Sequence, residues 1–167
     1  MTDSSIKISV LFVCLGNICR SPMAEGVFRS LAKSHPRVGD VDSAGTGAYH
    51  TLNPPDDRTI DTLRRHGIID YDHGARQVRT KDFHEFDYIF AMDAYNFNDL
   101  QRLQRRVETR GQKTKAKVMI FGDFGGRRKG EEVIDPYYGA DSGFEEVYEQ
   151  VTRFSKNFLE QVVYTST

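Results

Sequence analysis

The chain has 167 residues, and its 23 Lys and Arg against 24 Asp and Glu give a formal net charge of −1. This length suits one domain, 1–167, able to bury most of its apolar surface without metal or disulfide staples. The balanced charge lacks the basic signature of nucleic-acid binders, and roughly a quarter of the residues being Leu, Ile, Val or Phe argues against disorder. No apolar run is long enough to span a membrane, and the polar start Met1–Lys7 does not resemble a secretion signal. The two cysteines, Cys14 and Cys19, share one segment and make no disulfide scaffold. The expectation is a cytoplasmic protein without nucleic-acid or membrane partners.

Short β-rich runs alternate with amphipathic helical stretches, as in a parallel sheet with crossover helices. Ile8 to Val13 is apolar throughout, as a strand covered on both faces should be. Ser21 and Pro22 read as N-cap and first residue of a helix carrying Ala24, Val27, Phe28 and Leu31 inward. A second strand fits near Val38 to Ser43, ending in the Gly-rich turn Ala44 to Ala48. Asp56 and Asp57 open a helix with Thr59, Ile60 and Leu63 inward, and Gly67 closes it. Tyr88 to Met92 is a third strand, followed by a helix around Leu100 and Leu103, and Lys117 to Phe121 is a fourth strand. After a Gly- and charge-rich loop, Gly122 to Glu132, the capping box Ser142 to Glu145 introduces a final helix through Val147, Val151, Phe154 and Phe158. The predicted architecture is α/β with a small four-stranded parallel sheet. Functional sites in such sheets lie at the carboxyl ends of strands, and Cys14 ends the first.

The segment Cys14-Leu15-Gly16-Asn17-Ile18-Cys19-Arg20-Ser21 joins that strand to a helix N-terminus. Free backbone N–H groups and the helix dipole favour an anion there. Gly16 permits a left-handed turn and Asn17 tolerates one, so successive N–H groups are able to point inward as a nest. The same surroundings favour the thiolate of Cys14. Arg20 adds a planar fork suited to two phosphate oxygens, and Ser21 is placed to donate to the Cys14 sulfur. The competing readings are an inert buried cysteine, half of a zinc site, which lacks a second ligand pair, and a Walker-type loop, which lacks its Gly-Lys-Ser/Thr. The strand–loop–helix setting with Arg20 favours a nucleophile inside an oxyanion cradle.

Cys-x5-Arg-Ser at Cys14 to Ser21, with Asp135-Pro136-Tyr137-Tyr138 late in the chain, resembles the low-molecular-weight protein tyrosine phosphatases. The similarity runs from Ile8 to the last helix through Asp42 to Thr46, Asn53 to Asp56, His66-Gly67, Ala75 to Gln77 and Asp87 to Met92. It implies a four-stranded parallel sheet flanked by helices on both faces, with the phosphate-binding loop after the first strand. It also implies that Cys14 forms a phosphocysteine, Arg20 binds the phosphoryl oxygens, and Asp135 acts as general acid and then general base. Without the resemblance, Asp135 before Pro136 reads as a turn residue. Asn17, Ser21, Ser43 and His73 match a buried polar network supporting the loop. Leu15, Ile18, Tyr49, Tyr137 and Tyr138 match the pocket rim, where aromatic walls stack on a phenyl ring. Tyr49 stands where relatives often carry Trp, and His50 has no assigned role.

In relatives the counterpart of Cys19 bonds to the nucleophile under peroxide; the alternative for Cys19 is a packing cysteine. The resemblance implies phosphotyrosine proteins as substrates and no metal or other cofactor; a monomer is the expectation, with weak self-association through the aromatic rim as the alternative. An arsenate reductase shares this fold and loop, but its thioredoxin-coupled form needs a cysteine beyond Cys19. Protein arginine phosphatases tend to carry Thr in place of Ile18. A non-catalytic phosphate-binding module is expected to have lost Cys14 or Asp135.

Overall fold

The computed structural model describes residues 6–33, 35–137, 139–140 and 142–165. Four strands, β1 (Ile8–Cys14), β2 (Val38–Gly45), β3 (Tyr88–Ala91) and β4 (Lys117–Ile120), form a parallel sheet in the order β2-β1-β3-β4. The helices are α1 (Arg20–Ala32), α2 (Asp57–Arg65), the short α3 (Asp82–Glu85), α4 (Ala94–Thr109) and α5 (Ser142–Phe158), which continues into a π-helical turn at Leu159–Val163.

Strand side chains alternate between faces, and here both faces are covered. Val10 and Phe12 of β1 and Phe90 of β3 join Met23, Val27 and Phe28 of α1, Leu63 of α2 and Phe154 and Phe158 of α5 in one core. Leu11, Val13, Ile89 and Ala91 point the other way, onto Phe83 of α3 and Leu100 of α4. This two-sided burial is why β1 is an unbroken apolar run. The first core is aromatic. Phe90 lies 6.0 Å from Phe12, 4.8 Å from Phe121, 5.0 Å from Phe158 and 5.7 Å from Phe124 between ring centroids.

Several helix boundaries differ from the sequence expectations. The first helix begins at Arg20 with Cys19 at the N-cap position, so Ser21 lies inside the first turn and its hydroxyl turns toward Cys14. Asp56 caps α2 by accepting from Arg58 N, and Gly67 leaves the helix at φ +84°. Ile60 and Leu103 are half-buried, and Thr62 takes an inward place on α2. Glu145 does not cap α5 from Ser142; its carboxylate reaches across to Arg65 and His66.

The carboxyl ends of the strands converge. Cys14 pairs in register with Gly45, the last residue of β2. A side chain at Gly45 would place Cβ 2.6 Å from Leu15 O, so glycine is required for the loop after β1 to lean on β2. Phe90→Ala should lower stability by about 3–5 kcal/mol, measured by urea unfolding. A loss below about 1 kcal/mol would show that the aromatic core is not packed as described.

Candidate active site

Cys14 ends β1 with its side chain 4% exposed. The loop that follows turns its carbonyls outward. Cys14 O accepts from Thr46 N, Leu15 O from Gly47 N, Ile18 O from Asp56 N, and Cys19 O from Met23 N. Among the described residues the N–H groups of Leu15, Gly16, Ile18 and Cys19 have no protein acceptor, which leaves four backbone donors of the loop available to a ligand.

The positive φ of the loop falls on Asn17 (+59°), whereas Gly16 is outside the left-handed region. A Cβ at Gly16 would sit 3.1 Å from the His50 ring, so any side chain there would have to displace that ring slightly. Asn17 N points at Cys14 Sγ (3.3 Å), and Ser21 Oγ lies 3.0 Å from the same sulfur. The Asn17 side chain is 1% exposed and makes four bonds. Its Nδ2 donates to Ser21 Oγ (2.9 Å) and Ser43 Oγ (3.0 Å), and its Oδ1 accepts from Arg76 N (3.0 Å) and meets His73 Nε2 (2.7 Å). Asn17, Ser21, Ser43 and His73 are thus brought into one cluster around the loop.

Behind the cluster lies Glu25, which the sequence reading did not single out. Its carboxyl accepts from Ser43 Oγ (2.7 Å) and Tyr71 OH (2.9 Å), and pairs with Arg29 at 2.9 Å and His73 Nδ1 at 3.4 Å. Burial raises the Glu25 pKa to about 7, with Ser43 and Arg29 opposing, and pushes Tyr71 up as well. Burial lowers His73, against the pull of Asp42. Glu25, Asp42 and His73 bring three ligand-type atoms within 4.8 Å of one another. These atoms serve the hydrogen bonds and ion pairs just described, so the group reads as a support network. The signal in the sequence was a lone Glu in the apolar run Pro22 to Phe28.

Arg20 is buried, and its Nη1 donates to Asp93 Oδ2 (2.7 Å) and Val133 O (3.2 Å). Burial opposes its charge, but Cys14, Asp93 and Asp135 outweigh burial and raise its pKa. Asp93 also caps α4 by accepting from Asn96 N. An Asp after a strand is legible as a helix cap; its grip on Arg20, 73 positions away, is not. Cys19 is buried, and its thiol is pushed up to about 12 by burial and then by Asp56, with Cys14 and Asp135 adding to the effect. Asp135 is exposed, accepts from Tyr137 N, and sits close enough for its charge to act on both Cys19 and Arg20. Arg58 holds the same segment, donating to Tyr137 O at 3.2 Å.

Leu15, Tyr49 and Tyr137 are exposed and Ile18 is half-buried; Tyr138 lies outside the described residues. A groove of about 1220 Å³ lined by Arg29, Asp42, Tyr71 and Arg76 lies behind Glu25, away from Cys14.

The family model described as low molecular weight phosphotyrosine protein phosphatase matches residues 9–166. The protein of that name from Schizosaccharomyces pombe is 47% identical over 159 residues, covering 93% of this chain and 97% of its own. Among solved structures, Primo-1 is similar at a TM-score of 0.83 and 40% identity, covering 93% of this chain and 98% of its own. The drosophila arginine phosphatase DARP reaches 0.83 at 34% identity, over 94% of this chain and 98% of its own. The chain therefore belongs to the low molecular weight phosphotyrosine protein phosphatases, hydrolases that act on phosphoric monoesters.

Proposed function

We propose that residues 1–167 act as one catalytic unit that hydrolyses phosphotyrosine in proteins, and small aryl phosphates, through a phosphocysteine on Cys14. The observation that supports this reading is a sulfur with Ser21 Oγ at 3.0 Å and Asn17 N at 3.3 Å, in a loop whose other N–H groups are left without protein acceptors. Such a cradle matches an oxyanion and not a neutral thiol.

In the first step the Cys14 thiolate attacks phosphorus and the bond from phosphorus to the tyrosine oxygen breaks. Asp135 gives its proton to the departing phenolate. The phosphoryl oxygens take the loop N–H groups and the Arg20 fork, which Asp93 and Val133 O hold in place. In the second step a water oxygen attacks phosphorus while Asp135, now a carboxylate, takes the water proton. The bond from phosphorus to sulfur breaks, phosphate leaves, and Ser21 Oγ–H steadies the returning thiolate. Residues of the chain complete each step, so the mechanism calls for no metal or cofactor. Leu15, Ile18, Tyr49 and Tyr137 form the rim that selects an aryl group. We place the enzyme in the cytoplasm as a monomer with phosphotyrosine proteins as its substrates.

Cys19 supplies a redox guard in this reading. Peroxide converts the Cys14 thiolate to a sulfenic acid, and the Cys19 thiol condenses with it, forming a disulfide and releasing water. Glu25, by keeping its proton, lets Ser43 and Tyr71 bond to a carboxyl that carries no buried charge.

Wild type should release phosphate from a phosphotyrosine peptide in EDTA at mildly acidic pH, but not from phosphoserine or phosphoarginine peptides, and Cys14→Ser should abolish release. Activity surviving in the Ser variant would remove Cys14 as the nucleophile, and cleavage of phosphoarginine alone would reassign the substrate. After peroxide, alkylation should find neither thiol and dithiothreitol should restore activity. Two alkylatable thiols in the inactivated enzyme would refute the guard. The Glu25 proton is held in the folded state between pH 4.5 and about 7 and released on unfolding, so its contribution to stability is lost as pH rises through that window. Thermal melts should therefore show wild type losing about 2 kcal/mol relative to Glu25→Gln between pH 4.5 and 7.5; parallel curves would show Glu25 ionised throughout.

A further inference from the structure

The chain between β4 and α5 has little regular structure, yet it carries Asp135. A polar row on α5 holds it. Asn157 Nδ2 donates to Phe124 O (2.6 Å), Arg153 Nη1 donates to Gly125 O (2.7 Å), and Arg153 pairs with Glu131 at 2.7 Å. One turn earlier, Gln150 Nε2 donates to Glu132 O (2.9 Å) and Glu131 Oε2 (3.2 Å), while Gln150 Oε1 accepts from Ile134 N (3.1 Å). Positions 150, 153 and 157 stand three and four apart and share one face of the helix.

The Gln150 contact differs from the others. A primary amide offers a donor and an acceptor in one plane, so Gln150 pairs with the backbone at 132 and 134 as a neighbouring strand would. Residue 133 faces the other way. Val133 N donates to Met92 O (2.8 Å), and Val133 O accepts from Arg20 Nη1 (3.2 Å). Glu132 adds a tie to the same region by accepting from Ala94 N (2.8 Å) at the start of α4, next to Asp93. The three residues before Asp135 are thus clamped between Gln150 on one side and the Arg20–Asp93 pair on the other. Among the described residues the Asp135 carboxylate bonds forward, accepting from Tyr137 N (3.1 Å), so its place relative to Cys14 follows from this clamp on one side and from the Arg58 bond to Tyr137 O on the other.

From this pairing we infer that Gln150 is a positioning residue for the reaction: its side-chain amide fixes the 132–134 backbone so that Asp135 meets the leaving oxygen. The inference rests on the reading of Asp135 as proton donor. Loss of proton donation slows poor leaving groups far more than good ones, and misplacement by about 1 Å is enough to cost much of a catalytic group's effect. A residue that only stabilised the fold would slow both alike.

The test compares kcat/KM on phenyl phosphate, a poor leaving group, and p-nitrophenyl phosphate, a good one, for wild type, Gln150→Met, Gln150→Glu, Asp135→Ala and the Gln150→Met/Asp135→Ala double variant. Gln150→Met should lose about ten-fold on phenyl phosphate and under about two-fold on p-nitrophenyl phosphate, with inhibition by inorganic phosphate unchanged. In the Asp135→Ala background it should cost nothing more. Gln150→Glu keeps both backbone bonds only while its carboxyl is protonated, so at about pH 4, near the ordinary value for Glu, it should approach wild type. It should lose phenyl phosphate selectively as pH rises and the carboxyl ionises beside Glu131, Glu132 and Arg153. Equal losses on both substrates, or a further loss in the double variant, would overturn the inference. If Gln150→Met does not fold, the pH profile of Gln150→Glu decides. Asp135→Ala slowing both substrates equally would instead refute the role given to Asp135.

Discussion

Asn17 holds its backbone at φ +59°, and much of the site follows from that one residue. The left-handed turn aims Asn17 N at the Cys14 sulfur and leaves neighbouring N–H groups without protein acceptors. A non-glycine residue in this conformation is uncommon, and its strain must be offset locally. The Asn17 amide makes that offset through Ser21, Ser43, His73 and Arg76 N, which belong to α1, β2 and the segment leading to α3. The loop after β1 is therefore tied to three separate parts of the chain.

That support places ionisable groups where water does not reach. Glu25 is 1% exposed, and its partners Ser43, Tyr71, Arg29 and His73 satisfy the oxygens that burial would otherwise strand. Burial drives Glu25 toward its protonated form and His73 toward its neutral form. The guanidinium of Arg29 pairs with Glu25 from the outer edge of this network, while Arg20 is held on the other side of the loop beside Asp93.

The two ends of the proposed chemistry are held by different means. Cys14 is presented by the end of a strand buried on both faces, so its position is set by the sheet. Asp135 rides on a segment without regular structure, and its position is set by side chains: Gln150 and Arg153 of α5, Arg58 of α2 and Arg20 of α1. Cys14, the proposed nucleophile, is placed by strand pairing together with the Asn17 bonds, while Asp135, the proposed proton donor, depends on a few side-chain bonds to an irregular segment.

The sequence by itself determined the succession of strands and helices along the chain, the apolar run of β1, and the turn from strand to helix at Cys14 to Ser21, because hydrophobic periodicity and turn-forming residues act over a few positions. Local pattern also marked Asp56 as a cap and Gly67 as a helix end. It misjudged Ser21 as a cap, since a hydroxyl at a helix start bonds to whatever the fold brings near, here the Cys14 sulfur, and it did not foresee that Glu145 would reach across to Arg65 and His66. Only the tertiary structure brought Glu25 and Tyr71 behind the loop, Asp93 onto Arg20, and Gln150 onto the backbone before Asp135. These contacts join residues 16 to 73 positions apart, including β-type pairing by a side chain on a helix. No periodicity or motif in a single sequence encodes which distant partner a buried polar group will meet; packing of the helices on the sheet decides it.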